Sequence, residues 1–129
     1  MSYHHILVAV DLSDSSTQLI KKAIAQATPD LSELSIVYVD KDHILEGKSE
    51  KQQIKQRLQD LAVESGYPIN DIKALIGDLH VQIANIVAEK EIDLVVCGHH
   101  HDLLSNLTSH VPKLVKSIKT DFLVVSLDD

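Results

Sequence analysis

The chain has 129 residues, 44% of them hydrophobic and 24% charged, with a formal charge of −7 at neutral pH. That is one domain's length, with enough apolar content for a core that needs no disulfide or metal staple. With 12 basic residues against 19 acidic ones, 3% aromatics and no Trp, the composition excludes a binder that tracks nucleic-acid phosphates or stacks on bases.

The first apolar run, residues 6–10, is also the longest aliphatic one. It falls far short of the roughly 20 residues of a membrane span. Polar residues 11, 13 and 14 cut it before it can act as an export signal, and the single Cys97 has no internal partner. A cytoplasmic protein without membrane association is expected. An unbroken aliphatic run of this length reads as a strand buried on both faces. Ser15, with Gln18 three residues on, is placed to cap the next helix. Leu19, Ile20, Ala23, Ile24 and Ala27 give that helix its apolar face, and Pro29 stops it.

Residues 34–39 form the second strand, followed by a polar loop over 41–48. Ser49 and Gln52 offer a second capping pair. Ile54, Leu58, Leu61 and Ala62 line the second helix, and Gly66 supplies a left-handed residue after it. Residues 72–76 alternate less cleanly and read as a strand near a sheet edge. Asp78 caps the third helix, whose inner side is Leu79, Ile83, Ile86 and Val87. The fourth strand spans 94–97 and ends at Gly98. A fourth helix is expected to start at Pro112, where a missing N–H costs nothing, with Leu114, Val115 and Ile118 facing in. The last strand is centred on residues 122–125.

This alternation specifies an α/β fold: a single domain over residues 1–129, three layers, with a mostly parallel five-stranded sheet. The first and fourth strands are the most apolar and belong at the centre. Ligands of such sheets sit beyond the strand C-termini, where strand order reverses. The crevice to examine therefore lies between Asp11 and Gly98.

The chemistry available there is limited. The four glycines are scattered, so neither a dinucleotide fingerprint nor a P-loop exists. Residues 99–101 are three consecutive His, which cannot all face one way, and no ligand spacing accompanies them. No metal and no cofactor are expected. Asp11, Ser13 and His99 lack the turn that presents a catalytic Ser. Cys97 lies inside an apolar strand, where burial suppresses thiol reactivity. No catalytic residue is assigned.

Residues 5–13 (HILVAVDLS), 65–69 (SGYPI), 77–79 (GDL) and 93–100 (DLVVCGHH) resemble universal stress proteins, closest to the universal stress protein A subgroup. The resemblance runs from Tyr3 to Leu127. It implies strand order 3-2-1-4-5, a cytoplasmic homodimer, and a non-enzymatic role in surviving starvation, oxidative and DNA-damaging stress. A heterodimer with family paralogues is a further implied option.

ATP-binding members of the family carry Gly-x2-Gly-x9-Gly-Ser/Thr after the fourth strand. The first position here is Gly98, followed by His99. The next three are His101, Val111 and Pro112. His101 and Val111 add side chains where glycine torsions and close backbone approach are wanted. Pro112 removes a hydroxyl and an amide donor. Asp11, the family's adenine-side acid, and the aliphatic wall residue Val39 remain. The resemblance therefore implies a degenerate nucleotide pocket of the non-ATP-binding type; an adenine-nucleotide sensor for ATP or AMP is the alternative. The segment between the second strand and the second helix is also short for this subgroup.

The last strand, Asp121, Phe122, Leu123, Val124, Val125, Ser126 and Leu127, should form an apolar sheet edge with no Pro or Lys to block pairing. Pairing two such edges about a two-fold axis would cover it, and this is the expected dimer interface.

Overall fold

In a computed structural model, residues 3–12, 15–40, 47–100 and 118–127 are described. Five parallel strands make one sheet: β1 (His5–Val10), β2 (Glu33–Asp40), β3 (Asp71–Ile76), β4 (Leu94–His100) and β5 (Asp121–Leu127). Their order is β3-β2-β1-β4-β5, as expected. Helix α1 (Ser16–Ala27) and a 3-10 turn (Thr28–Asp30) join β1 to β2. Helix α2 (Lys48–Ser65) precedes β3, and α3 (Leu79–Lys90) joins β3 to β4. The expected helix at Pro112 lies outside the described residues.

Two cores lie on opposite faces of the sheet. Ile6, Val8 and Val10 pack with Leu19, Ile20 and Ala23 of α1 and with Ile54 and Leu58 of α2. Leu7 and Val95 pack with Ile83 and Ile86 of α3, and with Ile118. Period-two alternation on β1 sends neighbouring residues to opposite cores, so an uninterrupted aliphatic run is required. Ile6, Leu7 and Val8 are at most 1% exposed. Each such burial contributes about 1.5–3 kcal/mol. β3, at one edge, is only half-buried along most of its length.

The helix starts correct two expectations. Ser15 is the residue before α1, but its torsions are helical (φ −82°, ψ −3°) and its side chain makes no capping bond. A capping residue needs extended torsions to turn its oxygen onto the first-turn amides. Ser49 is not a cap either, because α2 begins one residue earlier, with Gly47 in the extended cap position. Asp78 does cap α3, accepting from the His80 amide at 3.1 Å. Desolvation, the largest single influence, raises its carboxyl's pKa, but the His80 amide and imidazole and the Val81 amide together outweigh it and hold the group below the usual carboxylate range. Gly66 closes α2 at φ 71°, as its sequence position suggested. α1 ends at Ala27, and Pro29 sits within the 3-10 turn that follows.

Candidate functional site: the split between the first and fourth strands

β1 and β4 are neighbours, but their pairing covers only Ile6↔Leu94, Leu7↔Val95 and Val8↔Val96. Both strands continue beyond it. β1 stays paired to β2 as far as Val10↔Tyr38, and β4 stays paired to β5 as far as His100↔Leu127. The sheet therefore splits at its C-terminal end. α1 leaves β1 toward one face, while α3 packs on the other. This is the strand-order reversal where open α/β sheets hold ligands.

Asp11 lies just past the end of β1 and is exposed. Val39, near the end of β2, is half-buried and packs on the α3-side core. Gly98 is buried in β4, with Val125 as its neighbour on β5. The expected end of β4 at Gly98 is corrected: the strand runs on to His100, because β5 supplies a partner throughout, and His99 pairs with Ser126. Gly98 and His99 thus lie on β4 at one side of the split, Asp11 lies just past the end of β1 at the other, and Val39 lies one strand further off, on β2. His101, Val111 and Pro112 lie outside the described residues.

Cys97 sits in β4 just past the last β1–β4 pair and is 4% exposed. Burial pushes its thiol up to about 11. The thiol is therefore a poor nucleophile at neutral pH.

Three features of this end were not singled out from the sequence. Leu12 adopts a left-handed backbone (φ 63°) although it is buried in the α1-side core. Non-glycine residues hold such torsions at a cost of about 1–3 kcal/mol, often at functional sites. The Arg57 guanidinium reaches from α2 to donate to the Leu12 carbonyl. The Ser16 hydroxyl, in the first turn of α1, is buried with no hydrogen-bond partner. One available signal was that Arg57 is the chain's single arginine. Another was that Ser15 and Ser16 are adjacent at a helix start.

The residues expected to pair two copies are on the sheet edge. In β5, Asp121 and Ser126 are exposed, Phe122 and Leu123 are half-buried, Val124 is 42% exposed and Val125 is buried. Backbone pairing of Leu127 with His100 completes the strand.

The model of the universal stress protein family matches residues 2–126. The chain belongs to the universal stress protein family. It is 35% identical to universal stress protein A of Salmonella typhi and 34% identical to that of Escherichia coli strain K12, over all of this chain and 98% of each relative. Those alignments span 141 positions, so they contain gaps on this chain's side. A universal stress protein solved in complex with cAMP matches with a TM-score of 0.74 at 20% identity, covering 98% of both chains. The Archaeoglobus fulgidus universal stress protein in complex with dAMP matches at 0.72 and 16% identity, covering 99% of this chain and 100% of the other. These similarities show the shared fold. Among the described residues, no helix is long and apolar enough to cross a membrane.

Proposed function

We propose that this universal stress protein is a non-enzymatic, cytoplasmic stress-response protein, homodimeric through β5, whose nucleotide crevice no longer holds a triphosphate. Full-length similarity to universal stress protein A supports the stress-response role. The observation that carries the reading is the phosphate loop: three of four positions depart, as His101, Val111 and Pro112. A missing amide and two added side chains take donors and space from the triphosphate. The open edge of β5, with Val124 exposed, supports pairing with a second copy or a paralogue. Its act in the cell is then contact with other proteins rather than turnover of a substrate.

Thermal unfolding with Mg-ATP tests this. A ligand at 100 times its dissociation constant stabilises by about 2.7 kcal/mol. The expected result is no shift at millimolar ATP; a saturable shift refutes the reading. Sedimentation should give a dimer, and Val124→Lys, which sets a charge on the edge, should give a monomer.

A second reading is favoured by a specific pattern. Two solved relatives are complexes with cAMP and dAMP, each ligand with a single phosphate group. This chain keeps Asp11 and Val39 at the adenine side. An adenine sensor for single-phosphate ligands would bind AMP or cAMP in preference to ATP, and parallel titrations of the three separate the readings.

A further inference from the structure

The geometry points to an oxyanion site for a phosphate group at the N-terminus of α1, formed by the Ser16 hydroxyl, the first-turn amides and the Arg57 guanidinium. It goes beyond the proposed function, which concerns the residues after β4.

Ser16 is 2% exposed, and its Oγ has no hydrogen-bond partner. Buried hydroxyls are almost always satisfied, so an unmatched one calls for an absent partner. Ser16 is the first residue of α1. Side chains on a helix tilt back toward its start, which aims this hydroxyl at the N-terminal mouth. The first-turn amides there have no acceptor within the helix. Of the described residues here, Ser15 makes no side-chain cap, and the first turn of α1 holds no acid.

Arg57 adds the cation. Its guanidinium donates to the carbonyl of Leu12, the turn residue that precedes α1. The side chain is anchored at this end of the helix, with further N–H groups to give. Arginine's planar fork suits two phosphate oxygens at once, which an ammonium does not. A phosphate here would accept from Ser16 Oγ, from first-turn amides and from Arg57. Exposed Asp11 stands one residue before Leu12 and opposes an anion, which sets the affinity below that of a full phosphate loop.

Titrating inorganic phosphate into the ¹⁵N-labelled full chain, at constant ionic strength, tests the site. The expected result is saturable movement of the amide signals of residues 16–18, with a matching rise in melting temperature. Ser16→Ala and Arg57→Gln should each weaken phosphate binding at least tenfold while remaining folded, and Asp11→Asn should strengthen it. AMP and adenosine distinguish the source: tighter AMP binding with the same amide movements assigns a nucleotide's phosphate, and equal binding of AMP and inorganic phosphate assigns the free ion. Still signals at residues 16–18, or movements unchanged in Ser16→Ala, overturn the inference. Tight ATP binding through the amides of 98–113 would instead overturn the proposed function, and residues 16–18 would still decide this site.

Discussion

The two ends of the sheet are built differently. At the N-terminal end, polar groups are matched across strands. The Asp93 carboxylate accepts from the amides of His4 (2.7 Å) and His5 (3.0 Å), tying the start of β1 to the approach to β4. Buried His5 places Nε2 at 2.7 Å from Ser35 Oγ and Nδ1 at 3.2 Å from the Lys90 carbonyl. Tyr67 donates to the Ser32 carbonyl at 2.5 Å, and Tyr3 to Asp121 at 2.8 Å. At the C-terminal end, β1 and β4 part, Leu12 sits in a left-handed turn, and Ser16 is unmatched. One end holds the fold together. The other leaves a buried hydroxyl unmet in the place where this architecture puts ligands.

The largest effect should come from the matched end. Asp93→Ala removes a charged acceptor from two backbone amides and should destabilise by about 3 kcal/mol in urea unfolding. Arg57→Gln, at the other end, loses one bond from an exposed side chain and should cost less than about 1 kcal/mol. Equal costs would erase the contrast between the ends.

Cys97, buried beside the split, gives the next effect. The Cys97 thiol is pushed up from 9.0 to about 11 by burial. The folded state therefore keeps a proton that the unfolded chain releases. Stability is complete below pH 9 and falls as pH rises from 9 to 11, by roughly 2–3 kcal/mol in total. Cys97→Ala should flatten that slope, and a thiol reagent at pH 8 should modify the wild type only slowly. Fast modification would mean that Cys97 is accessible in the folded protein.

A smaller change has the opposite sign. Without phosphate, Ser16→Ala should stabilise by about 1 kcal/mol, because it deletes a buried hydroxyl that makes no bond. Loss of stability would show that Ser16 has a structural partner.

Tyr3 gives the smallest effect. Its phenol is raised above 10.0, first by the hydrogen bond to Asp121, then by desolvation and by the charges of Asp121 and Asp93. A raised phenol gives stability that is present below pH 10 and declines above it. Tyr3→Phe should remove the part of the alkaline loss that remains in Cys97→Ala.

Most of the fold was legible because burial on both faces forces continuous aliphatic runs, and β1 and β4 have them. Gly66 and Asp78 were legible as helix boundaries, because left-handed torsions and an oxygen acceptor each demand particular residues there. The capping pairs at Ser15 and Ser49 were misread. Spacing fixes which residues can cap, but backbone torsions decide whether they do. At the crevice, Asp11 follows from where the first strand ends, Val39 came from the resemblance, and Gly98 was placed at a strand end that the structure moves to His100. Leu12 and Arg57 were not legible, because a left-handed leucine and a contact from α2 to the β1 turn depend on packing between segments distant in sequence. The strand order came from resemblance, since apolar content ranks strands by burial without ordering them.

The most direct measurement is calorimetric titration of the full chain with Mg-ATP, followed by amide spectra of the same sample. No measurable heat at millimolar ATP, with unmoved signals from residues 98–113, is the predicted result. Saturable heat together with movement of those amides would contradict a closed triphosphate socket.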